Sequence, residues 1–136
     1  MKFRWLPGAL ACLVITTGPV FAAETTTIRL LCAVTNPVHQ EAQETLVTVT
    51  YKKPEHATIT VHGTGAPMAG EVTKDEIRGK VDYVVEYKEG DDTVKVETYR
   101  NTVYVNRLTG AYELTFELVG AKDKLTTLGS CKEVAD

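Results

Sequence analysis

Thr27-Ile28-Arg29-Leu30-Leu31-Cys32-Ala33-Val34 puts Ile28, Leu30, Cys32 and Val34 on one side of an extended chain, with a cysteine among the apolar residues. Alternation at period two predicts a strand with one buried face, and the cysteine on that face predicts a bond made from within a core. Cys131, close to the other end of the chain, is the remaining cysteine once a leader is set aside. A Cys32–Cys131 disulfide would tie the first strand to the last.

The third cysteine, Cys12, falls in that leader. Lys2 and Arg4 open it, the stretch from Ala9 to Ile15 is apolar, and Gly18-Pro19 precedes Val20-Phe21-Ala22, which offers small residues where a signal peptidase reads. Residues 1–22 are therefore expected to be a signal peptide, and residues 23–136 a single domain. A membrane span takes about 20 apolar residues and this run is shorter, so no stable membrane anchor is expected. Acylation at Cys12 is disfavoured because Ala9 stands where a leucine is needed and the apolar run continues past the cysteine. Export to the periplasm or the exterior makes the surviving cysteine pair a disulfide. In the chain-entropy view, closing a loop of roughly 100 residues is worth about 4.7 kcal/mol.

The formal net charge of −3 becomes −5 when the two cations Lys2 and Arg4 are lost with the leader. An acidic surface disfavours nucleic acid and anionic membranes and suits a basic protein partner.

Period two continues through the chain. Val47, Val49 and Tyr51 share a face, as do Ile59 and Val61, then Val81, Tyr83, Val85 and Tyr87. Val94 and Val96, Val103 and Val105, and Tyr112, Leu114, Phe116 and Leu118 follow, with Glu113, Thr115 and Glu117 turned to solvent. Turn residues separate these runs at Asn36-Pro37, Lys53-Pro54-Glu55, Gly63 to Pro67, Glu89 to Asp92, Arg100-Asn101 and Thr109-Gly110. The pattern predicts an all-β domain of about eight strands in an antiparallel meander. Bringing its ends together favours a small closed barrel, with a two-sheet sandwich as the alternative. The polar stretch from Pro37 to Glu44 is the one helix candidate, for a single turn.

Chemistry-bearing motifs are sparse. Ser130 is the only serine and adjoins Cys131, which argues against a serine nucleophile with a histidine base. Both mature cysteines are committed to the disulfide, which argues against a thiol nucleophile. Gly63-Thr64-Gly65 lacks the following helix that a phosphate loop needs. His56 and His62 are roughly 20 Å apart along an extended chain, too far to share a metal ion, and His39 is remote in sequence. Asp91-Asp92 and Asp75-Glu76 sit in turns with no opposed carboxylate, and Glu89 to Asp92 is too short for a calcium loop. No cofactor, no metal and no catalytic residue is assigned. Among the aromatics, Tyr51, Tyr83, Tyr87 and Tyr112 are expected to face inward. Tyr99 and Tyr104 are expected to face outward on two strands joined at Arg100-Asn101.

The layout Thr27 to Cys32, Leu46 to Tyr51, Ala57 to Val61, Thr109-Gly110-Ala111-Tyr112 and Gly129-Ser130-Cys131 resembles the small periplasmic inhibitors of c-type lysozyme. It is similar as well to small secreted bacterial β proteins of unknown function. The first resemblance implies an eight-stranded barrel that inhibits by inserting a loop into the lysozyme cleft. Thr109 and Gly110 would then stand where that family has the serine and glycine of its Ser-Gly-x-x-Tyr motif. Tyr112 comes one residue early, and Gly120-Ala121-Lys122 takes the place of a Lys-Gly segment. The expectation is a secreted or periplasmic non-enzymatic binding protein whose partner-binding loop comprises Thr109, Gly110, Tyr112 and Lys122. Two alternatives accompany it: an inhibitor of c-type lysozyme, and a carrier of a small apolar ligand inside the barrel.

Overall fold

The computed structural model describes residues 24–38 and 40–134, so the expected signal peptide and His39 lie outside the described residues. Eight strands follow one another: β1 (Thr26–Thr35), β2 (Ala42–Tyr51), β3 (Ala57–Val61), β4 (Met68–Val72), β5 (Glu76–Glu89), β6 (Thr93–Asn106), β7 (Ala111–Leu118) and β8 (Lys124–Val134). Each pairs antiparallel with the next, and β8 returns to pair with β1, so the sheet is a closed barrel and not a sandwich. Cys32 and Cys131 are directly opposite in the β1–β8 register and are bonded across it, 99 residues apart in sequence.

Alternation explains the closure. Val47, Val49, Ile59, Met68, Ile77 and Val103 present no surface to solvent. Each such side chain contributes roughly 1.5–3 kcal/mol on leaving water. Eight strands leave an interior that side chains can fill. Here two glycines make the room: Gly70 and Gly79 face each other across β4 and β5, and the Ile59 side chain occupies the space their side chains would take. A Cβ at Gly79 would stand 2.7 Å from Ile59 Cδ1, and one at Gly70 would meet the Arg78 carbonyl.

Three expectations are refined or corrected. Among the described residues the helix candidate after Asn36 comes to a single hydrogen-bonded turn and no helix. Asn36 Oδ1 accepts the Val38 amide at 2.8 Å and its carbonyl accepts the Gln40 amide at 2.8 Å, and β2 begins at Ala42. A short polar side chain that bonds its own backbone competes with a helix. Second, Arg100-Asn101 is not a turn: β6 runs unbroken from Thr93 to Asn106. Inward positions therefore stay odd-numbered along its whole length. Tyr99 turns inward, and Val94 and Val96 turn outward, 56% and 60% exposed. Third, β4 is a strand that period two did not reveal, because Gly70 occupies the inward position between Met68 and Val72. One strand too many at β6 and one too few at β4 cancel in the expected count. Ser130 lies within β8, opposite Ala33 and Ala111.

Alternating directions define two rims. The upper rim carries the connections at 36–41, 62–67, 90–92 and 119–123; the lower carries those at 52–56, 73–75 and 107–110. The wall is uneven. β5 pairs with β4 no further than Lys80 yet continues nine residues to Glu89, a rise of roughly 30 Å. β6 mirrors it, pairing with β7 only as far as Tyr99 while its residues 93–98 pair with β5 alone. The β5–β6 hairpin thus projects above the barrel as a two-stranded arm.

Candidate functional site

The segment expected to bind a partner is a corner built into the lower rim. Asn106 Oδ1 accepts the amides of Leu108 and Thr109 at 2.9 and 3.0 Å, and the Thr109 hydroxyl accepts the Ala111 amide at 3.2 Å. Such local bonds close a tight turn. Its neighbours hold it on both sides. The Arg107 amide donates to the Asp75 carbonyl at 2.7 Å and its guanidinium to Glu133 at 3.1 Å, while the Gly110 carbonyl accepts the Cys131 amide at 2.7 Å. Gly110 has φ +85°, and a Cβ there would strike the Cys131 carbonyl. A glycine is needed for both reasons. Tyr112 is 3% exposed and belongs to the core, where burial pushes its phenol up to about 12. Lys122 is exposed on the upper rim, separated from Thr109 by the whole of β7, roughly 25 Å. The fold does not bring these four residues together. Gly63 and Gly65 stand on the upper rim with Lys122.

A different surface gathers unusual residues. On the inner side of the tall wall, Tyr83 stacks on Tyr99 at 5.8 Å between ring centres, and Tyr99 on Phe116 at 5.3 Å. The register explains the row, since Tyr83 is opposite Tyr99 across β5–β6 and Phe116 lies opposite Asn101, one inward position away, across β6–β7. Stacked pairs of this kind add about 0.5–1.5 kcal/mol beyond the area they bury. Above them Val85 and Tyr87 remain part-exposed, with Leu125 beside Phe116 on β8. Glu97 accepts the Tyr99 hydroxyl at 3.1 Å, and that bond, with desolvation, raises the Tyr99 pKa above its ordinary value.

Beneath the stack lies Asn101, the buried polar residue of the described core at 3% exposure. Among the described residues no side chain or backbone group bonds its amide. Leaving a buried polar group unpaired costs about 1–3 kcal/mol.

The outer side of the arm is apolar as well. Val84, Val94 and Val96 are each more than half exposed and are close across the β5–β6 register. Below them Asp82 receives two bonds from the Arg100 guanidinium at 2.7 and 3.0 Å, which hold its carboxyl below the usual range. From Val81 to Asn101 there are six carboxylates against three cations, and Glu89, Asp91 and Asp92 crowd the tip.

The barrel interior offers little space. A recess of about 200 Å³ opens at the upper mouth between Val34, Val61, Tyr112 and Thr127. A larger depression of about 660 Å³ is on the outside, over Thr58, Ala69 and Thr102, with Arg78 and Lys80 at its edge. His56 and His62 flank β3, and among the described residues no three His, Cys, Asp or Glu side chains converge to hold a metal.

No protein-family model, curated protein or solved structure matches this chain. Its functional reading rests on its own geometry.

Proposed function

We propose that this chain is a secreted or periplasmic non-enzymatic binding module that grips a basic protein partner with the β5–β6 arm and the inner wall beneath it. The observation that carries this reading is the concentration of exposed apolar side chains on one projecting element with an acidic tip. Val84, Tyr87, Val94 and Val96 are all exposed there, and Glu89, Asp91 and Asp92 stand at its end. Folding alone does not call for valines at outward positions of a two-stranded ribbon, whereas contiguous exposed apolar surface marks interaction sites. Half-exposed tyrosines supply large contact area at small entropic cost. The disulfide that clasps β1 to β8 suits an oxidising compartment.

Lysozyme inhibition is one version of this reading, because c-type lysozymes are basic. The arm is the better element for it, since the Thr109 hydroxyl already accepts the Ala111 amide inside its own turn and Tyr112 is in the core. The carrier reading fares worse: small-molecule sites occupy about 300 Å³ or more, and the interior recess is about 200 Å³.

The test is site-specific photocrosslinking in the cells that make the protein, with the reactive group placed at Tyr87 on the arm or at Leu108 on the lower corner. Discrete adducts from position 87 to a basic protein other than a second copy of this chain, and none from position 108, are expected. Adducts from position 108 alone, or from neither, would overturn the proposal, and so would adducts from position 87 to a second copy alone. Lysozyme turnover with the mature protein in micromolar excess addresses the inhibitor version: full activity retained removes it.

A further inference from the structure

The unpaired margin of β5 carries a second, independent inference. Among the described residues no strand pairs with β5 beyond Lys80 on the side that β4 leaves, so the backbone from Val81 to Glu89 presents a free edge. Free edges accept another strand, and proteins usually blunt them with charges. Here length and charge together select a register. In a two-fold antiparallel pairing of one edge with its copy, residues opposite one another must have the same parity, so the axis passes through a residue. Centring it on Tyr83 or Tyr87 would use only residues 81–85 or 85–89 of the free edge. Centring it on Val84 sets Asp82 against Glu86, and centring it on Glu86 sets that carboxylate against itself. Centring it on Val85 sets Asp82 against Lys88 twice, Tyr83 against Tyr87 twice, and Val85 against Val85. Every charged residue from Asp82 to Lys88 then faces either an opposite charge or Val84.

We infer that two copies of this chain associate by pairing their β5 edges about Val85, with Asp82 of each beside Lys88 of the other. The pairing is isologous, the commonest symmetry for soluble oligomers. It joins the two arms into one four-stranded sheet. Asp82 and Lys88 share the outer face with Val84, while Tyr83 and Tyr87 meet on the inner face. The acidic tips point away from each other, because the strands run in opposite directions. A seven-residue strand contact is small, so association in the micromolar range is expected. Nothing in it requires a basic partner, and it survives failure of the proposed function.

Sedimentation of the purified mature protein between about 1 and 300 µM reads the association directly, in the range expected for a small interface. Asp82→Lys and Lys88→Glu each set like charges opposite twice and should weaken dimerisation about tenfold. Mixing the two variants restores both attractive pairs, so the mixture should dimerise like the original protein. A second measurement avoids the Asp82–Arg100 pair altogether. Val85→Cys should oxidise rapidly to a covalent dimer, whereas Val94→Cys, on the far strand of the arm, should not. A protein that stays monomeric throughout the range overturns the inference. So does a dimer indifferent to both reversals, or crosslinking no faster at position 85 than at 94.

Discussion

Asn101 is the residue whose surroundings least suit it, since its amide is buried beneath the Tyr83 and Tyr99 rings and beside Phe116 with no partner among the described residues. Replacing it with valine, a good strand former of similar size, should raise stability by about 1 kcal/mol, read as a higher urea midpoint. A lowered midpoint would instead reveal a water bound to the amide. Tyr112 makes a pH prediction. Its folded-state pKa of about 12 lies above the ordinary 10, so the fold favours the protonated phenol. That contribution is complete below pH 10 and is lost as pH rises toward 12. Urea midpoints should fall across that interval, and Tyr112→Phe should flatten the fall. Six tyrosines contribute to tyrosinate absorbance, so the Tyr112 ionisation is read as the difference between the original protein and Tyr112→Phe. At this scale the sequence was a good guide to Cys32 and Tyr112 and a poor one to Tyr99. Inward or outward placement follows from parity along a strand, and parity was reset by a turn that is absent.

Among the elements, β6 shows what alternation can and cannot reveal. Val103 and Val105 are core residues as the pattern requires, whereas Val94 and Val96 continue the same strand on the opposite parity. Two valines at period two look alike in sequence whether they face a core or solvent, and only the unbroken register decides. Val96→Thr should therefore change stability by no more than about 0.5 kcal/mol. Ile77→Ala, by contrast, empties a fully buried site and should cost about 2–5 kcal/mol. Chemical denaturation of the two variants separates them; equal losses would place the arm's outer face inside the folding unit. β4 escaped notice for the converse reason. Gly70 leaves no apolar signal at an inward position, because Ile59 reaches across from β3 to fill it. The projecting arm was equally hidden. Strand length can be estimated from a pattern, but the residue at which a neighbour stops pairing cannot.

For the molecule as a whole, the all-β barrel and its disulfide could be read from period two and from the placement of two cysteines, because both are statements about which face is buried. The candidate site could not, because it depends on unequal strand heights. The disulfide's weight can be measured. Removing it by Cys32→Ala with Cys131→Ala should cost about 2–5 kcal/mol, seen as a shift in the denaturation midpoint. Cys32 has no exposed surface but Cys131 is part-exposed, so dithiothreitol can reach the native bond only by way of Cys131 and should cleave it faster once denaturant opens the barrel. An unchanged midpoint in the double variant would show that sheet closure alone holds the ends.

The bond between Cys32 and Cys131 also turns the chain into a covalent ring, in which no strand is first or last. A ring can be cut anywhere, and what then matters is how well each seam holds without its connecting loop. The seam between β7 and β8 pairs from Ala111 to Glu117, while that between β3 and β4 pairs only from Ala57 to Ile59. New ends placed at 119–123 leave a long zip of backbone bonds in charge, whereas new ends at 62–67 ask the shortest seam to keep the barrel shut. The seam held by the fewest backbone pairs is therefore where β3 meets β4, three seams round from the clasp.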